Sequence, residues 1–383
     1  MSGKDDRMDL SGVGIWSSQL GYGNADEAAN AAAELEELGF TALWIPDVGG
    51  PVLDSVEHLL ASTNRTVIAT GILNLWMHEP ADVAASYASL TNTHGTRFLL
   101  GIGCSHAALI DSKDPGRYRR PLAATRAFLD ALDTTEQPVP AENRVLAALG
   151  PKMLELSATR AGGAHPYLVT PDHTRQARTV LGAGPLLLPE QTVLLTDDHD
   201  EARAIGTDWL RAYLALPNYA NNLLRCGFTQ DDLDSVSDRL FDAIIAWGDE
   251  DAIVRRVDEH KQARGGPCLR SGTDCRSARI PARAVAPPGC RVDIASNALC
   301  YWLFPTPQVV TATSSTAHAE PSVCGIPSPA ARLGGRGPAV IQADGPLVGG
   351  SRSRSRSSRD SLRDRSVVPA RRRGSASRFR DGC

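Results

Sequence analysis

RVLAALGPKMLELSATRAGGAHPYLVTP (144–171) contains the repeating unit of this chain. Its first part, RVLAALG (144–150), is an apolar run typical of a buried strand, and PKMLELSATRAG follows it with helical periodicity. A second apolar run, AHPYLVT (164–170), comes directly after the helix. Because strands that alternate with helices pair in parallel, the stretch predicts an α/β protein with a parallel sheet.

The same alternation extends to both sides of this stretch. The predicted strands are apolar runs that end in turn residues, and they cover 12–17, 41–47, 65–73, 97–103, 144–150, 164–170 and 190–197. Helical patterns lie between them, at 25–39, 55–63, 80–93, 151–162 and 171–181, and fill most of 199–263. Seven strand–helix units in succession favour a (β/α)8 TIM barrel, although an open doubly wound sheet stays possible.

The alternation stops near Ala263, before the eighth unit. Residues 264–275 read RGGPCLRSGTDC, but the same codons shifted by one base permit ADHVCVQVLT, a buried-strand pattern. Further on, IPARAVAPPGC (280–290) permits FPREQWRHLA, the start of an amphipathic helix. We therefore predict a frameshift that has removed the eighth strand and the last helix. Since this leaves the first and seventh strands as unpaired edges, we expect impaired folding or activity.

Charge divides the chain at the same place. Residues 1–263 carry 21 basic and 37 acidic residues, a net charge of −16, whereas 264–383 carry 19 and 7, a net charge of +12. We predict a disordered N-terminus at 1–10, an incomplete barrel at 11–263 and a disordered Arg/Ser/Pro/Gly-rich tail at 264–383. The acidic body argues against a nucleic-acid partner for the barrel. SRSRSRSSRDSLRDRS (351–366) leaves RNA binding by the tail as an alternative.

Composition also bounds the location and the chemistry. No apolar run reaches the length of a membrane span, and MSGKDDRMDL at the N-terminus is too polar for a signal peptide. Six of the eight cysteines follow residue 263, so Cys104 and Cys226 form no disulfide framework. No spacing of His, Cys and Asp resembles a metal site. We expect a cytoplasmic protein that acts on a small molecule without a metal or a membrane.

The loop after the fifth predicted strand is a candidate anion site. It consists of Ala147, Ala148, Leu149, Gly150 and Pro151, with the proline in the first helical turn. Free backbone N–H groups and the helix dipole at such a helix start favour an anion. The alternative is that the small residues only permit a tight turn between strand and helix.

Two further side chains follow predicted strands at the edge where parallel barrels carry their active sites. Asp47 ends the second strand, where it either handles a proton or begins a solvated turn before Val48. His106 ends the segment GIGCSH (101–106) and is either a proton donor or acceptor or a solvated loop residue. Cys104 reads as a small packed residue.

Several stretches together resemble the luciferase-like flavin and deazaflavin oxidoreductases, in particular an actinobacterial branch that uses coenzyme F420. The resemblance covers about residues 10–263. Its matching stretches are LGFTALWIPDVGG (38–50), ATGILNLW (69–76), RFLLGIGCSHA (97–107), RVLAALGPKMLELSATRAGGAHPYLVTP (144–171) and LALPNYANNLLRCGF (214–228). The resemblance implies hydride transfer between F420 and a small organic substrate. An FMN-dependent monooxygenase is the alternative within the same fold, and a homodimer is common for such barrels.

The resemblance also implies roles for particular residues. It places Thr70, Gly71 and Ile72 behind the cofactor ring, with a cis peptide bond between Gly71 and Ile72; an ordinary strand end is the alternative. It places Asp47, Gly103 and His106 near the ring, with Asp47 and His106 as catalytic residues.

Two further parts of the chain receive assignments from the resemblance. The loop 147–151 would take the cofactor's phosphate, and residues 163–167 would line the cofactor pocket. His173, in contrast, reads as a surface residue at a helix start.

Overall fold

The computed structural model describes residues 8–264, in which short strands alternate with longer helices. The strands are β1 Gly14–Trp16, β2 Ala42–Ile45, β3 Val67–Thr70, β4 Leu73–Asn74, β5 Phe98–Gly103, β6 Arg144–Leu146, β7 Gly163–Ala164, β8 Leu186–Leu187, β9 Thr192–Leu195 and β10 Ile245–Gly248. The helices are α1 Gln19–Tyr22, α2 Ala25–Glu37, α3 Val52–Ser62, α4 Pro80–His94, α5 Ala107–Lys113, α6 Pro121–Asp133, α7 Pro151–Arg160, α8 Pro171–Leu181, α9 His199–Leu214, α10 Pro217–Arg225, α11 Gln230–Ser235, α12 Asp238–Ile244 and α13 Glu250–Ala263, with a short 3-10 turn at Ala141–Asn143.

The main sheet is parallel throughout and confirms the TIM-barrel class. Its strands follow the order β1-β2-β3-β5-β6-β7-β8, and β4 pairs with β5 beside this path. β2, β3 and β5 are buried at every residue. Such strands are buried on both faces, because one face packs against the helices and the other faces the barrel interior. This explains why the strands are apolar runs. Among the described residues, no helix is long and apolar enough to cross a membrane.

The seventh strand of the main sheet is not the predicted one. The sequence predicts this strand at 190–197, but β8 at Leu186–Leu187 takes the place next to β7. The predicted segment contains β9, which pairs instead with β10 in a separate two-stranded sheet. β10 lies within 199–263, where only helix was predicted. Its apolar residues IAWG form too short a run to separate strand from helix by pattern alone, so the pairing with β9 decides their structure.

Within residues 8–264, a groove separates the outer edges of β1 and β8. Each of these strands pairs with one neighbour in the main sheet, β1 with β2 and β8 with β7. A cavity of about 190 Å³ lies in the groove. Its walls come from β1, from the segment after β8 and from the inner face of α13, including Ile15, Leu188, Ile253 and Val257. The groove therefore lies where an eighth strand would close the sheet. The predicted frameshift and tail concern residues after Arg264, outside the described residues.

We expect that ADHVCVQVLT in place of residues 265–274 will stabilise the fold. The apolar residues of this segment would fill the groove and pair with the edges of β1 and β8, and each buried Val or Leu contributes about 1.5–3 kcal/mol. Since 1 kcal/mol raises Tm by roughly 2–4 °C in a chain of this size, the melting temperature should rise by at least about 5 °C. Differential scanning calorimetry against a scrambled version of the segment measures the change. Equal melting temperatures would contradict the eighth-strand assignment.

Candidate functional site

The candidate site is a cavity of about 550 Å³ at the carboxyl ends of the strands. Nine of the individually predicted site residues line it, namely Asp47, Gly71, Ile72, His106, Ala147, Ala148, Leu149, Gly150 and Pro151, and so do His165 and Tyr167 from the predicted pocket segment 163–167. The nine residues come from four separate segments, each at or just after the end of a strand or the start of a helix. A volume of this size lies within the range of small-molecule and cofactor sites.

The two remaining residues that were predicted individually, Thr70 and Gly103, do not line the cavity and lie behind its wall. The Thr70 hydroxyl donates to the Gly101 carbonyl at 2.8 Å and accepts from the Gly101 N–H at 2.9 Å, which fastens β3 to β5. A Cβ on Gly103 would come within 2.6 Å of Ile72 Cγ1, so only glycine lets Ile72 lie against β5. Both residues support the wall from outside. Their assignment as cofactor-binding residues stays a prediction.

Gly71 and Ile72 form the floor of the cavity and are joined by a cis peptide bond, as the sequence resemblance predicts. The Trp16 indole Nε1 donates to the Gly71 carbonyl at 2.9 Å. A Cβ on Gly71 would lie 2.6 Å from that indole nitrogen, so no larger residue fits against Trp16. This close packing leaves a flat glycine surface facing the cavity.

His165 lies beside the same floor and stays uncharged. Its ring stacks on Trp44 with centroids 4.4 Å apart, and its Nδ1 donates to the Leu188 carbonyl at 2.7 Å. Burial lowers the pKa of His165 to about 4, because an imidazolium here would lose its hydration. The ring therefore acts as a rigid neutral support for Gly71.

Asp47 is buried and its carboxylate is fully engaged. Oδ1 accepts from the Gly49 N–H at 3.1 Å, and Oδ2 accepts from the Asn74 N–H at 2.9 Å and from His78 Nε2 at 2.7 Å. The reading of Asp47 as a solvated turn residue is therefore wrong, since only 5% of it is exposed. Asp47 begins a turn, but it also holds the segment after Ile72 against β2.

His106 occupies the opposite wall in a defined orientation. Its Nδ1 lies 3.0 Å from Asn218 Oδ1, at the start of α10, and its ring lies 5.2 Å from the ring of Tyr219. Because the amide oxygen is an acceptor, Nδ1 carries the proton and Nε2 keeps a free lone pair. Burial lowers the pKa of His106, which favours the neutral ring. The ring is thus held in one orientation by Asn218, and the role of His106 as a catalytic residue stays a prediction.

The loop 147–151 ends in a helix start without a side-chain cap. Gly150 is the N-terminal cap residue of α7 and has no side chain that could accept from the N–H groups of the first turn. Pro151 follows at the first helical position. Lys152 and Arg225 line the cavity at this end, with Arg225 Nη2 3.8 Å from the position of a Cβ on Gly150. Two cations beside uncapped N–H groups make this end of the cavity suited to an anion.

His173 is buried, so its prediction as a surface residue is wrong. Only 4% of the residue is exposed, and its Nε2 donates to the Leu149 carbonyl at 2.9 Å. Burial lowers the pKa of His173, and the neighbouring Arg225 lowers it further. The histidine at the start of α8 thus holds the loop 147–151 in place from behind.

Sequence reasoning missed the aromatic and cationic residues of the walls. They are Trp16, Tyr118, Lys152, Tyr213, Asn218, Tyr219 and Arg225, together with His78 behind Asp47. His106 and Asn218 are 112 positions apart, so no local spacing connects them. The stretch LALPNYANNLLRCGF (214–228) was the available signal, since it contains Asn218 and Tyr219 at the start of α10 and Arg225 at its end.

The chain belongs to the luciferase-like monooxygenase family, whose sequence profile matches residues 9–266. This is a family of redox enzymes. A Mycobacterium tuberculosis protein named as a coenzyme F420-dependent oxidoreductase is 30% identical over 118 residues, 29% of this chain and 33% of that protein. The 4-hydroxyprotoasukamycin monooxygenase of Streptomyces nodosus subsp. asukaensis is 27% identical over 268 residues, 64% of this chain and 67% of that enzyme. The chain thus spans a third of the first relative and two thirds of the second.

Solved structures support the fold assignment. The coenzyme F420-dependent tetrahydromethanopterin reductase of Methanopyrus kandleri superposes with a TM-score of 0.51 at 18% identity, over 66% of this chain and 90% of that one. An F420-dependent secondary alcohol dehydrogenase gives 0.50 at 15% identity, over 66% and 90%. At these identities the similarity shows the shared barrel and no more. Among the described residues, no group of three His, Cys, Asp or Glu side chains could hold a metal ion.

We expect Asp47→Asn to destabilise the fold. The amide keeps one acceptor oxygen but places an NH2 group against N–H donors, so at least one buried donor loses its partner at a cost of about 1–3 kcal/mol. Chemical denaturation measures the free energy of unfolding. The control is Asp54→Asn on the exposed side of α3, which should stay within about 0.5 kcal/mol of the parent chain. Equal losses in both variants would show that Asp47 does not hold the turn.

Proposed function

We propose that the chain is a coenzyme F420-dependent oxidoreductase that transfers a hydride between the deazaflavin and a small organic substrate. The observation that carries the proposal is a single cavity with three parts. An uncapped helix start with two cations lies at one end, a glycine floor lies between, and a neutral histidine lies on the wall. An elongated cofactor with a flat ring and a phosphate requires these parts in this order.

The residues present fit such a cofactor. Gly150, Lys152 and Arg225 would hold its phosphate through N–H groups and positive charge. Gly71 and Ile72 would lie against its flat ring, since Gly71 lines the cavity without a side chain and Trp16 leaves no space for one. The relative from Mycobacterium tuberculosis that is named for F420 supports this assignment.

When bound, the deazaflavin supplies a hydride acceptor or donor. The chain itself supplies position and a path for the proton. His106 Nε2 has a free lone pair and can take the proton of a substrate hydroxyl while the carbon that bears this hydroxyl loses a hydride. Asn218 fixes the tautomer by accepting a hydrogen bond from Nδ1–H, and Tyr219 holds the ring from the side. We therefore assign His106 as the catalytic base and Asp47 as a positioning residue.

An FMN-dependent monooxygenase remains the alternative within the family, because the relative with the longer match is named as a monooxygenase. The two cofactors share a flat tricyclic ring and a phosphate, so the same cavity suits either. Nucleic-acid binding through 351–366 falls outside the described residues, and it stays a prediction like the homodimer.

Equilibrium titration of the full chain with F420 and with FMN separates the two cofactors. We expect the chain to bind F420 more tightly than FMN and to reduce or oxidise it without consuming oxygen. Arg225→Gln should weaken F420 binding about tenfold or more, since a hydrogen bond to a charged group contributes about 1.5–3 kcal/mol. Arg211→Gln, at an exposed position of α9, is the control and should leave the affinity unchanged. Preference for FMN with oxygen consumption would favour the monooxygenase.

Replacement of His106 tests the proton path. In His106→Gln, kcat should fall by about 10²–10⁴ while the affinity for F420 stays the same, because only the proton acceptor is lost. The base must be neutral, so activity of the parent chain should be constant around pH 7. It should decrease only as the pH falls through a pKa that lies below the ordinary value of 6.5. His199→Gln, exposed on α9, serves as the control. An unchanged kcat would remove His106 from the mechanism.

A further inference from the structure

The wall of the cavity above the glycine floor is aromatic from the floor to the catalytic base. Trp16 contacts Tyr167 with ring centroids 5.5 Å apart, Tyr167 lies 6.0 Å from Tyr219, and Tyr219 lies 5.2 Å from His106. Tyr213 closes the wall from behind, with its hydroxyl 3.0 Å from that of Tyr167. The apolar residue Leu122 faces the same space. A substrate beside His106 Nε2 therefore lies against aromatic faces.

The titratable groups of this part of the cavity are uncharged near neutral pH. Burial raises the pKa of Cys104, Tyr118 and Tyr219, and it lowers the pKa of His106. Each shift favours the neutral form, because the desolvated wall disfavours charge of either sign. A charged substrate group placed here would lose its hydration without gaining a partner.

The charged side chains that line the cavity lie elsewhere. Among the described residues they are Asp47, Lys152 and Arg225. The Asp47 carboxylate is occupied by three hydrogen-bond donors and has no exposed side-chain surface. Lys152 belongs to the first turn of α7, and Arg225, at the end of α10, lies beside Gly150. The proposed function assigns both side chains to the cofactor's phosphate. None of the three is left to bind a charged substrate.

We propose that this site selects an uncharged, largely apolar substrate that presents one oxygen to His106 Nε2 and packs its carbon skeleton against Trp16, Tyr167 and Tyr219. This inference rests on the proposed function, since it assigns the cationic end of the cavity to the cofactor. It excludes sugar phosphates and carboxylic acids as substrates and points to alcohols or carbonyl compounds with an aromatic or alicyclic skeleton.

A matched pair of probes tests the selection. Benzyl alcohol and (hydroxymethyl)benzoate differ by one carboxylate, and calorimetric titration of the full chain with F420 bound measures their affinities. We expect the alcohol to bind at least about tenfold more tightly, a difference of about 1.4 kcal/mol. Equal affinities, tighter binding of the carboxylate, or no binding of the alcohol would overturn the proposal. The affinity for F420 is measured first, without either probe. If F420 does not bind, the proposed function fails, and this result is distinct from failure of the substrate selection.

A charge introduced into the wall should reverse the selection. Leu122→Lys places an ammonium group beside the aromatic wall, so the carboxylate probe should gain at least about tenfold in affinity relative to the alcohol. Val180→Lys, at an exposed position of α8 outside the cavity, adds the same charge to the chain and should leave the ratio unchanged. If the affinity ratio changed equally in both variants, net charge and not the aromatic wall would determine the selection, and the proposal would be wrong.

Discussion

The hydrogen bond from Trp16 Nε1 to the Gly71 carbonyl is the contact on which the site depends. It connects β1 to the end of β3 and fixes the orientation of the Gly71 carbonyl. Three further contacts complete the arrangement: the Gly71 N–H donates to Ile45, the Asp47 N–H donates to Ile72, and Asp47 Oδ2 accepts from Asn74. Because the partners come from β1, from the end of β2 and from β4, the floor of the cavity is held by several strands of the sheet at once.

The polar residues around this floor divide between support and chemistry. Asp47 lies on the cavity wall with both carboxylate oxygens bonded, to the Gly49 and Asn74 N–H groups and to His78, whereas His173 lies behind the wall and bonds the Leu149 carbonyl. His106 differs from both, because it lines the cavity and its hydrogen bond to Asn218 leaves the second ring nitrogen available there. A residue whose hydrogen-bonding capacity is filled by its own fold can position a ligand, whereas one with a lone pair facing the cavity can exchange a proton with it.

The sequence predicts the parts of the fold that local patterns determine. Helix α8 is predicted at 171–181 and observed at the same residues, because Pro171 starts it and Gly182 ends it. β8 and β10 were not predicted, since two to four apolar residues carry no period and their structure depends on distant partners. The same limit applies to the site. Asp47, His106 and the loop 147–151 follow predicted strands, whereas Asn218 and Arg225 reach the cavity only through the packing of α10.

The groove beside β1 and the cofactor cavity are not independent. Trp16 and His165 line both of them, so the residues that support Gly71 from below also form the wall of the groove. His165 Nε2 is buried without a hydrogen-bond partner among the described residues, at the boundary between the two spaces. Its other ring nitrogen, Nδ1, bonds the Leu188 carbonyl on the groove side, whereas Nε2 lies 3.4 Å from the Cβ position of Gly71 on the floor side. A strand in the groove would pack against Trp16 and His165, the same side chains that support Gly71, so closing the barrel and holding the cavity floor depend on the same residues.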